Sequence, residues 1–224
     1  MDTHFSEPRP KNNVSKFRSL ANWQATSVLN DVRLTLKSDQ SFDEVFENRR
    51  TNRIIAHTTL RETRAFIKHV FATRQLGQGV MRDRKRKTTI SAGALHPIDI
   101  IIVDGPDVTE PILYCDRKGK FLTLPVLNPV GFASAVAETL EVQTLASGHL
   151  ILFAGNLRRL SHFYSEPKSL LWRDSGAAAQ ACSVAAHAYG FRYCPLGING
   201  HDILAAIGPP HDQFLAVGTS IFGQ

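Results

Sequence analysis

Apolar residues recur at helical spacing in several stretches of the first half of the chain. Behind Ser41, a residue type that often caps helices, the pattern predicts a short helix over residues 42–50. A longer apolar pattern predicts a second helix over residues 60–77, which would end at a glycine. A weaker pattern indicates one more helix near residues 21–36.

The second half of the chain alternates between β-branched runs and helical stretches. Strands are predicted over residues 98–105, 149–155 and 214–223, with a hairpin over 111–124 that turns at 116–119. Helices are predicted over residues 130–148, 174–190 and 201–208. Because helices and strands alternate irregularly around a hairpin, the expected fold is an α+β sandwich with a central mixed or antiparallel sheet flanked by helices.

Residues 1–40 differ from the rest of the chain in being polar and only weakly periodic. We therefore expect an N-terminal arm or extension over residues 1–40, packed on one domain over residues 41–224. The full length of 224 residues suits such an arrangement, and 43% hydrophobic with 21% charged residues is ordinary for a soluble globular protein.

The sequence offers no pattern for a membrane span, a signal peptide or a metal-binding cysteine cluster. No apolar run reaches about 18 residues, and the first residues lack the apolar core of a signal peptide, so a cytoplasmic protein without a membrane partner is expected. Cys115, Cys182 and Cys194 are widely spaced, which predicts reduced thiols rather than disulfides or a zinc site.

The net charge of +6 is concentrated in the first half of the chain. Residues 1–90 carry 18 Lys and Arg against 9 Asp and Glu, which favours an anionic partner or ligand there. The densest basic run, MRDRKRK at residues 81–87, is interpreted as a solvated loop, with an acidic partner or substrate as the alternative. Nucleic-acid binding is not expected, because no aromatic residues interleave the basic ones and no nucleic-acid-binding motif accompanies them.

Two short motifs indicate ligand binding. In RRTNR, Arg49, Thr51 and Arg53 alternate, so an extended segment would direct two guanidinium groups and a hydroxyl to one side as a phosphate clamp. The alternative is a solvated basic helix end. In SAGAL, residues 91–95, small side chains would let backbone N–H groups approach a flat or anionic ligand, although a plain loop is the alternative.

Taken together and in order, these motifs resemble those of the FMN-dependent nitroreductase family, and within it the SagB-type branch of azoline-peptide dehydrogenases. RRTNR is similar to the family's RRSxR, with Thr51 in place of Ser, and SAGALHP is similar to PSAGALYP, with Ile90 and His96 in place of Pro and Tyr. An acid-x-Gly in the Ala-rich stretch, a later LG and a terminal VG complete the pattern. The resemblance runs over residues 42–223.

The resemblance implies an obligate homodimer that binds FMN between its subunits. In one subunit Arg49, Thr51 and Arg53, with Arg50 beside them, would hold the ribityl phosphate and one edge of the isoalloxazine. The partner chain would contribute the loop contacts, and a segment approaching flavin N5 would complete the site. These further cofactor contacts are Ser91, Ala92, Gly93 and Leu95 from the loop, and Leu196 and Gly197 from the N5 segment.

The activity implied by the resemblance is hydride transfer through flavin N5, with a small-molecule or modified-peptide substrate and NAD(P)H as a candidate electron donor. Two departures leave the substrate open. The Lys-Tyr pair of the peptide dehydrogenases is represented only by Lys168, which Ser169 follows. His96 is either a proton donor or a ring held by a local hydrogen bond. The alternative function is a non-catalytic flavin-binding or scaffold subunit that docks an acidic partner.

Overall fold

The computed structural model describes residues 7–12, 14, 23–81, 84–105, 110–116, 119–143, 146–210 and 212–224. The strands in chain order are β1 (Arg9–Pro10), β2 (Ser27–Leu29), β3 (Gln75–Leu76), β4 (Lys85–Arg86), β5 (Ile98–Val103), β6 (Ile112–Cys115), β7 (Lys120–Thr123), β8 (His149–Asn156), β9 (Tyr164–Ser165), β10 (Arg192–Pro195) and β11 (Phe214–Gly223). The helices are α1 (Phe42–Asn48), α2 (Leu60–Phe71), α3 (Pro129–Glu141), α4 (Leu157–Phe163), α5 (Lys168–Ala188) and α6 (His201–Ile207).

A seven-stranded sheet forms the centre of the molecule. Its strand order is β10, β11, β8, β5, β6, β7, β2, and every neighbouring pair in it is antiparallel. Two short ribbons, β1 with β9 and β3 with β4, lie outside this sheet. The expected α+β fold with a central antiparallel sheet flanked by helices is confirmed.

Each face of the sheet carries its own apolar layer, because side chains alternate between the two faces along a strand. Ile100 and Ile102 of β5 pack in one layer with α2 and α5, whereas Ile101 and Val103 pack in the other with α3 and α6. All four side chains are at most 2% exposed. The β-branched run of β5 is therefore buried on both faces, which makes it the middle of a three-layer sandwich.

The helix predicted over residues 42–50 is confirmed as α1. Ser41 caps it: the Ser41 hydroxyl accepts a hydrogen bond from the Glu44 N–H, and the Glu44 carboxylate accepts one from the Ser41 N–H. Thr59 and Glu62 form the same capping box at the start of α2. Both helix starts are thus fixed by local chemistry that is visible in the sequence.

Three predicted helix bounds and one predicted helix are wrong. The helix expected to reach residue 148 ends at Glu141, and Ala146 forms a bridge with Ile55 instead. The helix expected to reach residue 77 ends at Phe71, because the following residues leave to pair with β4. The helix expected from residue 174 begins at Lys168, just after Pro167, and so gives Leu170 and Leu171 to the core. Within the described part of residues 21–36 the chain forms β2 instead of a helix.

The segment predicted as an arm packs against the body of the molecule. Its strand β2 pairs with β7 and extends the main sheet, and β1 pairs with β9. The Trp23 indole N–H donates to the Asp99 carboxylate over 2.8 Å, and the Trp23 ring contacts Phe214 edge-on. The described residues include no helix that is both long and apolar enough to cross a membrane.

Candidate functional site

The small-residue loop, defined here as Ser91–Pro97, has an unusual backbone. Gly93, Ala94 and His96 all have positive φ values, of 55°, 54° and 48°. This left-handed region is easy for glycine but costs about 1–3 kcal/mol for a non-glycine residue in a sparsely populated conformation. The fold must therefore hold the loop firmly, and such strain is concentrated at functional sites.

Asp174, on the buried side of α5, holds the start of the loop. Its carboxylate accepts the Ser91 hydroxyl proton over 2.5 Å and the Ala92 N–H over 3.0 Å. The Ser91 oxygen in turn accepts the His96 N–H over 2.8 Å, which closes the loop on itself. Burial raises the pKa of Asp174, although the hydrogen bonds from Ser91 and Ala92 oppose the rise.

Two arginines hold the carbonyl groups of the same loop. Arg84 donates to the Gly93 carbonyl over 2.6 Å, and Arg159 donates to the His96 carbonyl over 3.0 Å. A Cβ atom on Gly93 would lie 2.6 Å from both the Arg84 guanidinium and the Tyr164 hydroxyl. Glycine is thus required at this position both by φ and by space, because Arg84 and Tyr164 fill the volume that a side chain would need.

Replacement of Asp174 should release the loop. Asp174→Ala leaves the Ser91 hydroxyl and the Ala92 N–H without their acceptors, so the free energy of unfolding should fall by about 1–3 kcal/mol in urea denaturation. Hydrogen exchange of residues 92–96 should accelerate. Asp174→Asn should lose less free energy of unfolding, because its amide oxygen can still accept one of the two hydrogen bonds. Asp202→Ala, at an exposed acid of α6, is the control; equal losses in all three variants would contradict this assignment.

The basic run at residues 81–87 is not the solvated loop that was expected. The side chains of Lys85 and Lys87 are 5% and 4% exposed, and both pair with Asp116, at 2.8 and 2.5 Å. The solvated interpretation is therefore wrong for these two lysines, because the fold encloses them around one carboxylate. Residues 82 and 83 of the run lie outside the described residues.

Burial shifts the titration of this cluster. It lowers the pKa of Lys85 to about 8, with the charge of Arg159 adding to the effect and that of Asp116 opposing it. Burial also disfavours the ionised form of Asp116, but the charges of Lys87 and Lys85 outweigh it and hold the pKa of Asp116 well below its usual range. Asp116 is thus the anion that pairs with both enclosed lysines.

Lys85 gives a testable pH dependence. Its folded-state pKa of about 8 lies below the ordinary 10.5, so between these values the unfolded chain binds more protons and stability rises with pH. The gain is on the order of 3 kcal/mol, and it is lost again as the pH falls from about 10.5 to about 8. Urea denaturation across this range should show the rise in the wild type but not in Lys85→Met, in which Asp116 keeps its pairing with Lys87. Parallel pH profiles of stability for the two proteins would refute the low pKa assigned to Lys85.

His96 is held as a structural ring. Its Nε2 lies 2.9 Å from the Lys85 carbonyl, an acceptor, so this nitrogen carries the proton. Burial, followed by the charge of Lys87, lowers the pKa of His96 to about 4, which keeps the ring neutral at physiological pH. This geometry favours the local hydrogen bond over a proton-donor role for His96.

An open pocket of about 450 Å³ adjoins the small-residue loop. Its walls combine residues of the β3 and β4 ribbon with Ser91, Ala94 and His96, and several of the wall residues are basic. Ile90, directly before the loop, is 79% exposed. The pocket therefore offers a partly apolar surface beside the strained loop, with the exposed Arg86 in its wall.

The RRTNR segment is irregular rather than extended as a strand. Arg50 folds back and donates to the carbonyl groups of Glu47 and Arg49, over 2.7 and 3.0 Å, which caps the end of α1. Asn52 accepts the Ile54 N–H in a local turn. The segment forms no strand, so the alternation argument for Arg49, Thr51 and Arg53 stays a prediction, and their proposed clamp must rest on where each side chain lies.

Arg49 and Arg53 lie at the junction of α1, α5 and β10. The Arg49 guanidinium donates to the Ser183 hydroxyl of α5 over 3.4 Å. Arg53 is exposed, and its charge opposes the rise that burial causes in the pKa of the Cys194 thiol on β10. Thr51 is exposed on the same segment. Fixed guanidinium groups thus lie near the end of β10, where Leu196 follows.

The segment after β10 is tied to β11. Leu196 already donates its N–H to the Thr219 carbonyl over 2.9 Å, and the Thr219 hydroxyl donates to the Ile198 carbonyl over 2.5 Å. Gly197 is exposed, and its N–H makes no hydrogen bond within the described part of the chain. Of the two residues expected to approach a flavin, Gly197 is therefore the one with an available amide.

The structure brings the predicted residues together in two groups. Arg49 contacts Ser183 of α5, and Arg53 lies near Cys194 of β10, which Leu196 and Gly197 follow closely in sequence. The loop residues Ser91 and Ala92 instead bond to Asp174 of α5. Asp174 and Ser183 are nine positions apart on α5, which corresponds to roughly 13.5 Å along the helix axis. Leu95 is 1% exposed and packs in the core, so its side chain is not available to a ligand.

Residues that hold the loop were not expected from the sequence. Asp174 belongs to the acid-x-Gly motif of the Ala-rich stretch, but nothing local indicates that it bonds Ser91, 83 positions earlier. Arg84 and Arg159 carry no sequence signal beyond their charge. Lys168, the remnant of the Lys-Tyr pair, is an exposed first residue of α5.

No protein-family model matches the chain, and no curated protein matches it. Solved structures match its fold. A Ralstonia eutropha protein assigned as a nitroreductase has a TM-score of 0.65 at 11% identity, with 98% of both chains covered. A chain of the Escherichia coli microcin synthetase McbBCD complex, solved with truncated pro-MccB17 bound, has a TM-score of 0.58 at 12% identity, covering 88% of this chain and 77% of that one.

A third match is an Exiguobacterium sibiricum protein assigned as a nitroreductase and solved in complex with FMN. Its TM-score is 0.55 at 13% identity, with 85% of this chain and 90% of that one covered. Identities this low establish the architecture and leave the chemistry to be argued from the residues. The chain has the fold of these nitroreductase structures.

Proposed function

We propose that this protein is an FMN-dependent oxidoreductase of the nitroreductase type. The observation that carries the proposal is the loop Ser91–Pro97, which is held in a strained conformation by Asp174, Arg84 and Arg159 within a fold shared with an FMN complex. A plain connecting loop has no need of three buried or half-buried charged side chains. A loop that must present a flat backbone surface to a flavin ring does need such supports.

The residues present fit the chemical groups of FMN. Arg49 and Arg53 supply guanidinium groups for the phosphate, and Arg53 is exposed. Gly93 and Gly197 both have N–H groups without a hydrogen-bond partner in the described chain. Arg50 is occupied in capping α1, so its part in binding would be electrostatic.

The proposed site is completed by a second copy of the chain. The phosphate-binding group, Arg49 and Arg53, and the loop group, Ser91–Leu95, are separated along α5. A cofactor bound by both groups would therefore contact the loop of one subunit and the arginines of the other. Phe42 and Phe46 support such a dimer: they stack at 5.8 Å on the outer face of α1 and are 73% and 66% exposed. Ile54, close to the clamp, is 62% exposed.

FMN supplies hydride-transfer chemistry when bound. The role of the chain would be to bind and orient it: Arg49 and Arg53 hold the phosphate end, and the Gly197 N–H directs one hydrogen bond to the ring system. The loop excludes water from one face and leaves the pocket beside Ser91 for the substrate. Arg86 is exposed in the wall of that pocket, and its charge favours a substrate with anionic or partially negative oxygen atoms.

Two substrate classes fit this site. One is a nitro or quinone acceptor reduced at the expense of NAD(P)H, and the other is a ring or C–N bond of a modified peptide that is dehydrogenated. The second draws support from the fold of the microcin synthetase complex solved with its peptide. The missing Tyr after Lys168 weakens the parallel with peptide dehydrogenases.

The test begins with purified protein saturated with FMN and freed of unbound nucleotide. Under anaerobic conditions, loss of the oxidised-flavin absorption on addition of NADH or NADPH, and its return with a nitroaromatic, would support the first class. Loss of absorption on addition of an azoline peptide, without any response to nicotinamides, would support the second. If FMN is not retained, the proposal fails.

The scaffold alternative loses one of its supports. It relied on the basic run at residues 81–87 as a docking surface, but Lys85 and Lys87 are enclosed with Asp116. Arg84 is occupied by the Gly93 carbonyl and by the Phe163 ring, 4.5 Å away. The described basic surface is therefore smaller than the sequence indicates.

A further inference from the structure

Three side chains from distant parts of the sequence meet at one edge of the sheet. His57 follows α1 and the RRTNR segment, Asp104 follows the last residue of β5, and His149 begins β8. One potential ligand atom from each lies within 4.8 Å of the others. We propose that His57, Asp104 and His149 form a Zn²⁺ site.

His149 is the anchor of this cluster. It is 1% exposed, and its Nδ1 lies 2.9 Å from the Thr63 hydroxyl, which is itself fully buried. The Thr63 hydroxyl has one proton and two acceptors in reach, the Thr59 carbonyl of the preceding helical turn at 3.3 Å and His149 Nδ1. When Thr63 donates to the carbonyl it accepts from His149, which then carries its proton on Nδ1 and leaves Nε2 with a lone pair for a metal.

That lone pair is aimed at a carboxylate. His149 Nε2 has no hydrogen-bond partner, yet it lies 3.2 Å from Asp104 Oδ1. A bare nitrogen and a carboxylate oxygen repel each other unless a cation lies between them. Two ligands of one tetrahedral zinc ion, each about 2.1 Å from the metal, are roughly 3.4 Å apart. The observed separation of 3.2 Å matches that spacing.

His57 supplies the third ligand. Its ring centroid is 5.8 Å from that of His149. The preceding residue, Ala56, pairs with Gln224 through two backbone hydrogen bonds, which fixes the segment beside β11. His57 is exposed and Asp104 is 48% exposed, so both side chains can close on an ion by rotation while His149 stays fixed.

The ligand set identifies the class of metal. Two imidazoles and one carboxylate suit Zn²⁺ better than Mg²⁺ or Ca²⁺, which prefer oxygen ligands. Thr63 orients His149 in the way that outer partners orient metal-binding histidines. Three protein ligands leave a fourth position for water on the exposed side. The ion would link the Ala56 segment, the end of β5 and the start of β8.

This site is separate from the proposed flavin site. The loop Ser91–Pro97 precedes β5, whereas Asp104 follows it, so a strand of six residues, roughly 20 Å, lies between them. The inference therefore does not depend on the proposed function.

The test uses tag-free, chelator-washed full-length protein and Zn²⁺ in competition with a chromogenic chelator. The wild type should bind one Zn²⁺ per chain, and its thermal midpoint should rise with the metal. His57→Ala and Asp104→Asn change exposed side chains and should keep the fold, but each should weaken Zn²⁺ binding at least about 10-fold. His201→Ala, at an exposed histidine of α6, should bind as the wild type does.

Thr63→Val tests the orientation of His149. It keeps the shape of the buried side chain and removes only the hydroxyl, so Zn²⁺ binding should weaken by about 10- to 100-fold. Absence of Zn²⁺ binding by the wild type would overturn the proposal and leave His149 and Asp104 as an ion pair. Wild-type affinity in both His57→Ala and Asp104→Asn would overturn it as well, because the metal would then be bound elsewhere.

Discussion

Replacing both Arg49 and Arg53 with alanine should weaken FMN binding by at least about 100-fold. Hydrogen bonds to charged groups contribute about 1.5–3 kcal/mol each, and the two guanidinium groups are the cations proposed to hold the phosphate. Neither side chain belongs to the apolar core, so the variant should remain folded. Fluorescence titration of the nucleotide-free protein with FMN measures the change.

The matched control is Arg33→Ala with Arg61→Ala. It removes the same two positive charges from exposed positions away from the proposed clamp. If binding were driven by net charge alone, the control would lose as much affinity as the clamp variant. The clamp assignment requires that the control keep wild-type affinity, and equal losses would reject it.

The largest stability effect is expected at Asp116. Asp116→Ala leaves Lys85 and Lys87 enclosed without an anion, and breaking a buried ion pair in this way costs about 3–5 kcal/mol. Urea denaturation at neutral pH measures this loss in the free energy of unfolding. Because the cluster lies beneath the small-residue loop, FMN binding should weaken in parallel.

A compensated variant separates charge from packing. Lys85→Met, Lys87→Met and Asp116→Leu together remove all three charges and should recover most of the stability, because an enclosed ion cluster can be replaced by apolar side chains at little cost. Asp43→Ala, at an exposed acid of α1, should change stability by less than about 0.5 kcal/mol. A loss below 1 kcal/mol in Asp116→Ala would contradict the account of this cluster.

The sequence was sufficient for the central fold because the governing signals are local. The buried run of β5, the hairpin of β6 and β7, and the capped start of α1 are set by residues within a few positions of each other. The segment around β2 was predicted as a helix because its pairing partner, β7, lies about 95 positions away. Short elements such as β10, with a proline at its end, carry too few residues for a periodic pattern.

The candidate site was predictable only in part for the same reason. Ser91, Gly93 and the arginines of RRTNR stand in recognisable motifs, but their supports come from elsewhere. Asp174 bonds the loop across the sheet face, and Lys87 is neutralised by Asp116 on a different strand. These partners depend on tertiary structure, and no spacing rule links them. The same holds for His57, Asp104 and His149.

The most direct test of the central claim is native mass spectrometry of the wild-type protein after incubation with FMN. The account predicts a wild-type dimer that carries two FMN molecules. The variant without Arg49 and Arg53 should carry no FMN. It should be mostly monomeric if assembly depends on the cofactor, and dimeric if assembly does not. A wild-type protein that stays monomeric and takes up no FMN would contradict it.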